Sequence, residues 1–247
     1  MSTPGFEQLY VDERSSDDSP ALAPWDIGGP QPVVQQLVAY GALRGEILDP
    51  GTGTGHHAIH YASHGYSATG IDESPAAIER ARRNAERAGV TVNFQVGDAT
   101  ELAGFEDRFD TVVDVAFYHV FDGDEEIQAR YARALHRATK HGARLFMFED
   151  GCGNVNGLRL EGVPADNFER VLPAAGWRID FLGTATYQSV FSPEVFAHMF
   201  QTLEAANRAE DAQLIMPWLN QIQLLEPMLE NHRVHLPIWA LTATRMD

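Results

Sequence analysis

The stretch ILDPGTGTGHHA (47–58) constrains this chain more than any other. An apolar run is followed at once by glycines at 51, 53 and 55, so a strand must close into a turn that leaves the backbone accessible. The dinucleotide fingerprint G-x-G-x-x-G fails, because its third glycine would be residue 56 and that residue is His56. The phosphate-binding pattern GxxxxGK(S/T) fails too, since the only lysine of the chain is Lys140. What fits is acid-x-G-x-G-x-G, from Asp49 through Gly51 and Gly53 to Gly55. A carboxylate at the strand's end repels a pyrophosphate and suits a ligand carrying positive charge.

The rest of the chain supplies an alternating frame. A strand at 46–50 leads into a helix at about 54–64 and a strand at about 67–72. Ser74 and Pro75 form an N-cap and N1 pair, and Ile78, Ala81 and Ala85 line one helical face until Gly89. Strands near 91–96 and 109–115 follow, then a helix at about 123–140 and the buried strand ARLFMFE (143–149). Phe168, Val171, Leu172 and Ala175 mark a further helix, stopped by Gly176. The end differs: WRIDFLGTATYQ (177–188) and VHLPIWALTATR (234–245) read as two strands with a helical insert between them. This order predicts one α/β domain over 25–247, with a seven-stranded, mostly parallel sheet whose last pair is antiparallel. Residues 1–24, rich in Ser, Asp, Glu and Pro, read as a mobile arm.

Four loops at the carboxyl ends of successive strands converge on one ligand, as the crevice rule for such sheets expects. After the glycine turn come Asp72 and Glu73, where an acid can accept ribose hydroxyls. Gly97, Asp98 and Ala99 follow, with an acid placed for an adenine amine and the Ala99 amide for a ring nitrogen. The segment DTVVDVAFYHVF (110–121) comes last. An adenosine whose tail carries a sulfonium and an ammonium matches this set, which points to S-adenosylmethionine.

On these motifs residues 25–150 resemble the class I S-adenosylmethionine-dependent methyltransferases. With PWDIGGPQPVVQQLV (24–38), AFYHVF and VNGLRLEGVPADNFERVLPAAGWRID, most of the chain is similar to the mycobacterial heterocyclic toxin methyltransferases, a benzoquinone methyltransferase-like group. The resemblance implies a Rossmann-like fold. It also implies methyl transfer to a nitrogen or oxygen of a small aromatic heterocycle such as an alkyl-hydroxyquinolone, which detoxifies it. A carbon or oxygen acceptor on a quinone or phenol stays open, as does a catalytically silent cofactor-binding sensor.

Roles follow for individual residues. Trp25 is placed over the methionine or the acceptor, and Asp26 at the cofactor's ammonium; Asp114 and Val115 flank the methyl donor. Tyr118 and His119 stand where an acceptor should sit, with His119 a candidate general base. Phe117, Glu149, Phe191, Phe196, Met199, Phe200 and Trp218 are candidates for the acceptor pocket, the last five as part of a lid at 190–230. His56, His60 and His64 share a helix face without a carboxylate or cysteine beside them, so no metal is expected.

Charge and cysteine content narrow the class. With 35 acidic against 18 basic residues the net charge is −17, which disfavours nucleic acid and anionic membrane as partners. One cysteine, Cys152, leaves no internal disulfide. No apolar run approaches the roughly 18 residues of a membrane span, and no basic-then-apolar leader opens the chain, so a cytoplasmic protein is expected.

Overall fold

The computed structural model describes residues 10, 23–121, 123–151, 153–155, 158–160, 162–205 and 223–247. Its main sheet has seven strands: β1 (Glu46–Pro50), β2 (Ser67–Asp72), β3 (Asn93–Val96), β4 (Phe109–Val115), β5 (Thr139–Asp150), β8 (Trp177–Val190) and β9 (Arg233–Arg245). Their spatial order is β3-β2-β1-β4-β5-β9-β8. The first five are mutually parallel, and β9 runs antiparallel between β5 and β8. β6 (Gly153–Val155) and β7 (Leu158–Leu160) form a separate small hairpin that sequence periodicity did not reveal.

Consecutive strand residues feed opposite faces of the sheet. Leu48, Val112, Leu145 and Met147 join one core with Tyr131 and Leu135 of α4 (Glu125–Ala138) and Phe168 and Leu172 of α5 (Ala165–Ala174). Ile47, Val113, Phe146 and Phe148 join the other core. There they meet Val34 of α1 (Pro32–Ala39), Tyr61 of α2 (His56–Ser63) and Ile78 of α3 (Pro75–Ala88). Both faces being covered, the central strands read as continuous apolar runs rather than alternating ones.

Local chemistry sets the helix ends. Ser74 accepts the Ala77 N–H and Gly89 closes α3 in the left-handed conformation. Asp124 accepts the Glu126 and Ile127 N–H groups, and acids in the first turn with His136 and Arg137 in the last suit the dipole of α4. The chain passes from α4 into β5 without a loop, so the helix expected at 123–140 ends at Ala138 and the strand expected at 143–149 starts at Thr139. Gly55, at φ +83°, holds the start of α2 back to His56. β3 starts at Asn93 rather than 91.

In the insert, α6 (Pro193–Ala205) follows Ser192 as the pattern predicts. The second insert helix, with Trp218, lies outside the described residues, as does most of the 1–24 arm.

Candidate active site

A cavity of about 590 Å³ opens along the carboxyl ends of the parallel strands, within the usual size of a small-molecule site. One end is lined by Gly51, Thr52, Gly53 and Thr54 of the glycine turn, Asp72 at the end of β2 with Glu73 after it, and Asp98 after β3. The other end takes Val115 at the end of β4, Ala116, Phe117, His119, Val120 and Phe121 after it, Asp150 of β5, Tyr187 and Ser189 of β8, and Leu236 of β9. Trp25 and Asp26 also line it.

The glycine turn is shaped for close approach. Gly51, Gly53 and Gly55 all have positive φ (65°, 52° and 83°), where side chains are strained. A Cβ on Gly51 would meet the Phe117 ring at 2.2 Å. Phe117 reaches that position because Ala116 takes φ +58°, an uncommon conformation for alanine that turns the chain at the end of β4. The two ends of the cavity therefore meet at Gly51 and Phe117.

Asp72 anchors the turn from the next strand. One carboxylate oxygen accepts the Gly53 N–H and the other the Ser74 N–H, each at 2.9 Å. A carboxylate has about four acceptor sites, and that of Asp72 also lines the cavity. Asp98 accepts the Thr100 N–H at 2.7 Å and faces the same cavity. Partial burial and the charge of Asp98 raise Glu73 above its ordinary value.

Asp49 requires a correction. It does not line the cavity; it is 2% exposed, accepting the Thr52 hydroxyl and the Ala58 amide. Burial raises its pKa to about 7 against those hydrogen bonds. Burial also lowers neighbouring His57 to about 3, so their 4.0 Å approach joins a neutral imidazole to a carboxyl group that titrates near neutral pH. Asp49 ties the glycine turn to the start of α2, and the negative charge facing a ligand comes instead from Asp26, Asp72, Glu73, Asp98 and Asp150.

Asp26 is held by the Gly28 N–H at 2.9 Å, the Thr54 hydroxyl at 3.0 Å and His56 Nε2 at 3.2 Å. Trp25 donates its indole N–H to the Tyr10 hydroxyl at 3.4 Å. Tyr10 was missed by sequence reasoning because it lies in the polar arm. Its hydroxyl would stand 3.3 Å from a Cβ on Gly53, and burial with nearby Asp72 drives its pKa well above the ordinary tyrosine value.

Beyond β4 the polar groups form a chain. Glu149, fully buried, accepts His119 Nδ1 at 3.0 Å and the His119 N–H at 3.1 Å. Burial and then the Glu149 charge push buried Asp114 well above the carboxylate range, and the Tyr131 hydroxyl donates to it at 2.7 Å. Glu149 also feels burial, but the hydrogen bond and charge of His119 outweigh it and hold its pKa down. Asp114 thus keeps the proton of the pair and Glu149 the charge. His119 itself lines the cavity, with Nε2 3.7 Å from Asp150 Oδ2.

Several expected pocket residues stand elsewhere. Tyr118 is fully buried with its hydroxyl donating to Asn167 at 2.8 Å, so it supports the wall from behind and cannot meet an acceptor. Phe191 and Phe196 pack edge to face at 5.2 Å in a separate cluster with Val195 and Val234, against which Met199 rests. Phe200 is half-buried on the same helix, off the cavity. Gly55, Gly97, Ala99, Asp114 and Glu149 likewise do not line the cavity; Ala99 is core. The described wall after 190 is Leu236, with Tyr187 and Ser189 just before it. Among the described residues no group of three or more His, Cys, Asp or Glu could hold a metal ion, and no helix is long and apolar enough to cross a membrane.

Residues 47–142 match a family model described as a methyltransferase domain. The chain is 34% identical over 139 residues to the 2-heptyl-1-hydroxyquinolin-4(1H)-one methyltransferase of Mycobacteroides abscessus, a match covering 56% of this chain and 60% of that protein. It is 27% identical to a ubiquinone biosynthesis O-methyltransferase of Xanthomonas euvesicatoria pv. vesicatoria, over 81% of this chain and 82% of that one. A solved structure described for the conversion of a disulfide bond into a thioacetal group during echinomycin biosynthesis superposes with a TM-score of 0.67 and 29% identity. That superposition covers 90% of this chain and 85% of the other. The chain spans less than two thirds of the curated relatives it matches first, 60% and 63%. Residues 47–142 are thus similar to the methyltransferase-domain family, and sheet order with the superposition gives the chain a class I, Rossmann-like fold.

Proposed function

We propose that this chain transfers a methyl group from S-adenosylmethionine to a nitrogen or oxygen of a small aromatic heterocycle of the alkyl-hydroxyquinolone type. The observation that carries the reading is one cavity with two unlike ends. One end is acidic and built on glycine backbone; the other is aromatic and holds an oriented histidine. Bound S-adenosylmethionine supplies an electrophilic methyl group on a sulfonium. Asp72 would hold the ribose hydroxyls, Asp98 the adenine amine, and Trp25 with Asp26 the methionine end. The acidic lining complements the cofactor's positive charge. Val115, Phe117 and Phe121 would set the acceptor ring beside it and exclude water, so that positioning supplies most of the rate enhancement.

Two findings support the acceptor class: the aromatic lining, and the likeness to a protein named for a hydroxyquinolone substrate. The likeness to a ubiquinone biosynthesis O-methyltransferase supports a second reading, a quinone- or phenol-type acceptor at the same end. On the first reading methylation removes an ionisable hydroxyl and detoxifies the compound. The partner is a small molecule, in keeping with a net charge of −17 that repels nucleic acid.

Incubating the full chain with methyl-labelled cofactor and a panel of hydroxyquinolones, quinones and phenols tests the proposal. Label in a hydroxyquinolone supports it, and label only in a quinone or phenol moves the acceptor to the second reading. Cofactor binding with no transfer to any acceptor leaves a cofactor-binding sensor.

A further inference from the structure

The five carboxylates of the cavity have no lysine or arginine among the described lining residues; Arg80, behind the lining, interacts with Asp26 at the glycine-turn end, and the remaining titratable lining groups are His56, His57, His119, Tyr10 and Tyr187. An acceptor that arrived as an anion would meet this field as a like charge. A neutral acceptor avoids the repulsion but must lose a proton when its nitrogen or oxygen is methylated. One ring in the cavity is arranged to take it. His119 presents Nδ1 to Glu149 at 3.0 Å, and Glu149 is fixed in turn by the His119 backbone N–H at 3.1 Å. A carboxylate acceptor makes Nδ1 the protonated nitrogen of the neutral ring, so the basic lone pair is on Nε2.

Resting on the methyl-transfer reading, we propose that the acceptor enters as an uncharged X–H molecule, X being nitrogen or oxygen, and yields its proton to His119 Nε2. In this scheme Glu149 is the positioning residue that sets the ring. The lone pair of X forms the bond to the methyl carbon, and the carbon–sulfur bond of the donor breaks with its electrons onto sulfur. The X–H proton passes to Nε2, giving an imidazolium between Glu149 and Asp150. Among the described residues, the groups facing that imidazolium include Glu149 and Asp150 from β5, with Asp114 from β4 and Tyr131 from α4 behind Glu149. Tyr187 from β8 feels both Asp150 and Glu149. Asp114 is the neutral member, so the ring faces one buried negative charge rather than two.

The test uses the full chain, its Glu149→Gln and His119→Gln variants, and one N-hydroxyquinolone whose own ionisation falls within the measured pH range. The wild-type kcat/KM for the acceptor should rise as the histidine loses its proton, then fall as the acceptor ionises. A rate that instead climbs through the acceptor's ionisation to a plateau overturns the neutral-acceptor claim. Glu149→Gln should lower kcat roughly 100-fold, leave cofactor affinity unchanged, and move the acidic limb to lower pH because a charge that favours the imidazolium is gone.

Nitrogen-15 histidine spectra provide a readout that does not depend on turnover. A hydrogen-bonded Nδ1–H resonance should be missing in His119→Gln and shifted in Glu149→Gln. An unmoved limb together with an unshifted resonance overturns the role of Glu149. No transfer by the wild type to any acceptor overturns methyl transfer itself and the proton path with it, while the spectra still decide whether Glu149 sets the ring.

Discussion

The two ends of the cavity are built by different physics. The glycine-turn end is held by backbone: Asp72 grips the Gly53 and Ser74 amides, Asp49 grips Ala58, and three glycines take left-handed dihedrals. The acceptor end is held by side chains from distant segments. Phe121 stacks near Phe117 and Tyr131 at 5.3 and 5.5 Å, Glu149 orients His119, and Tyr187 and Leu236 arrive from the antiparallel pair. Backbone-built sites tolerate little change, because almost any side chain added to them collides. Side-chain-built sites can be recut by single substitutions, which suits the end that must choose an acceptor.

Substitutions should separate the two. The largest effect is expected from Gly51→Val, which combines positive φ with a collision against Phe117. Strain and collision together should cost about 4 kcal/mol in stability and abolish cofactor binding, both measurable by calorimetry. Phe196→Ala should destabilise the fold by about 3 kcal/mol while leaving the KM of both substrates unchanged, since Phe196 belongs to the insert core. A raised acceptor KM there would return Phe196 to the pocket. Asp72→Ala should weaken cofactor binding roughly tenfold to a hundredfold, through a charged hydrogen bond of about 1.5–3 kcal/mol. Unchanged affinity would remove the ribose assignment.

The smallest effect is expected at Asp49, and it concerns pH. Its folded pKa of about 7 lies above the ordinary 3.8, so folding favours the protonated form. That contribution is full below about pH 4 and is lost as pH rises through 7. Asp49→Asn, which cannot ionise, should therefore melt progressively higher than the wild type across that window, by a few degrees at its top. A gap that stays constant with pH would mean that Asp49 remains charged.

The same contrast explains what could be read in advance. Ser74, Pro75 and Gly89 state the limits of α3 within a few residues, and Asp72 ends its strand, so the first half of the sheet was legible from local pattern. Asp49 was legible as a position but not as a buried one, because its burial depends on Ala58 and Thr52 folding over it. Phe191, Phe196 and Met199 had the spacing of a helix face, and spacing cannot say which core that face meets. Tyr187, Leu236 and Tyr10 reach the cavity only through the pairing of β8 with β9 and the approach of residue 10 to Gly53. Such contacts across long separations leave no local signature.

The most direct test of a two-ended methyl-transfer site is transfer of label from S-adenosylmethionine to an N-hydroxyquinolone, followed in the wild type and in Phe121→Ala. Transfer by the wild type, with Phe121→Ala raising the acceptor KM several-fold and leaving cofactor affinity untouched, is the predicted result. Cofactor affinity that falls with Phe121, or a wild type that moves no methyl group to any aromatic acceptor, would contradict it.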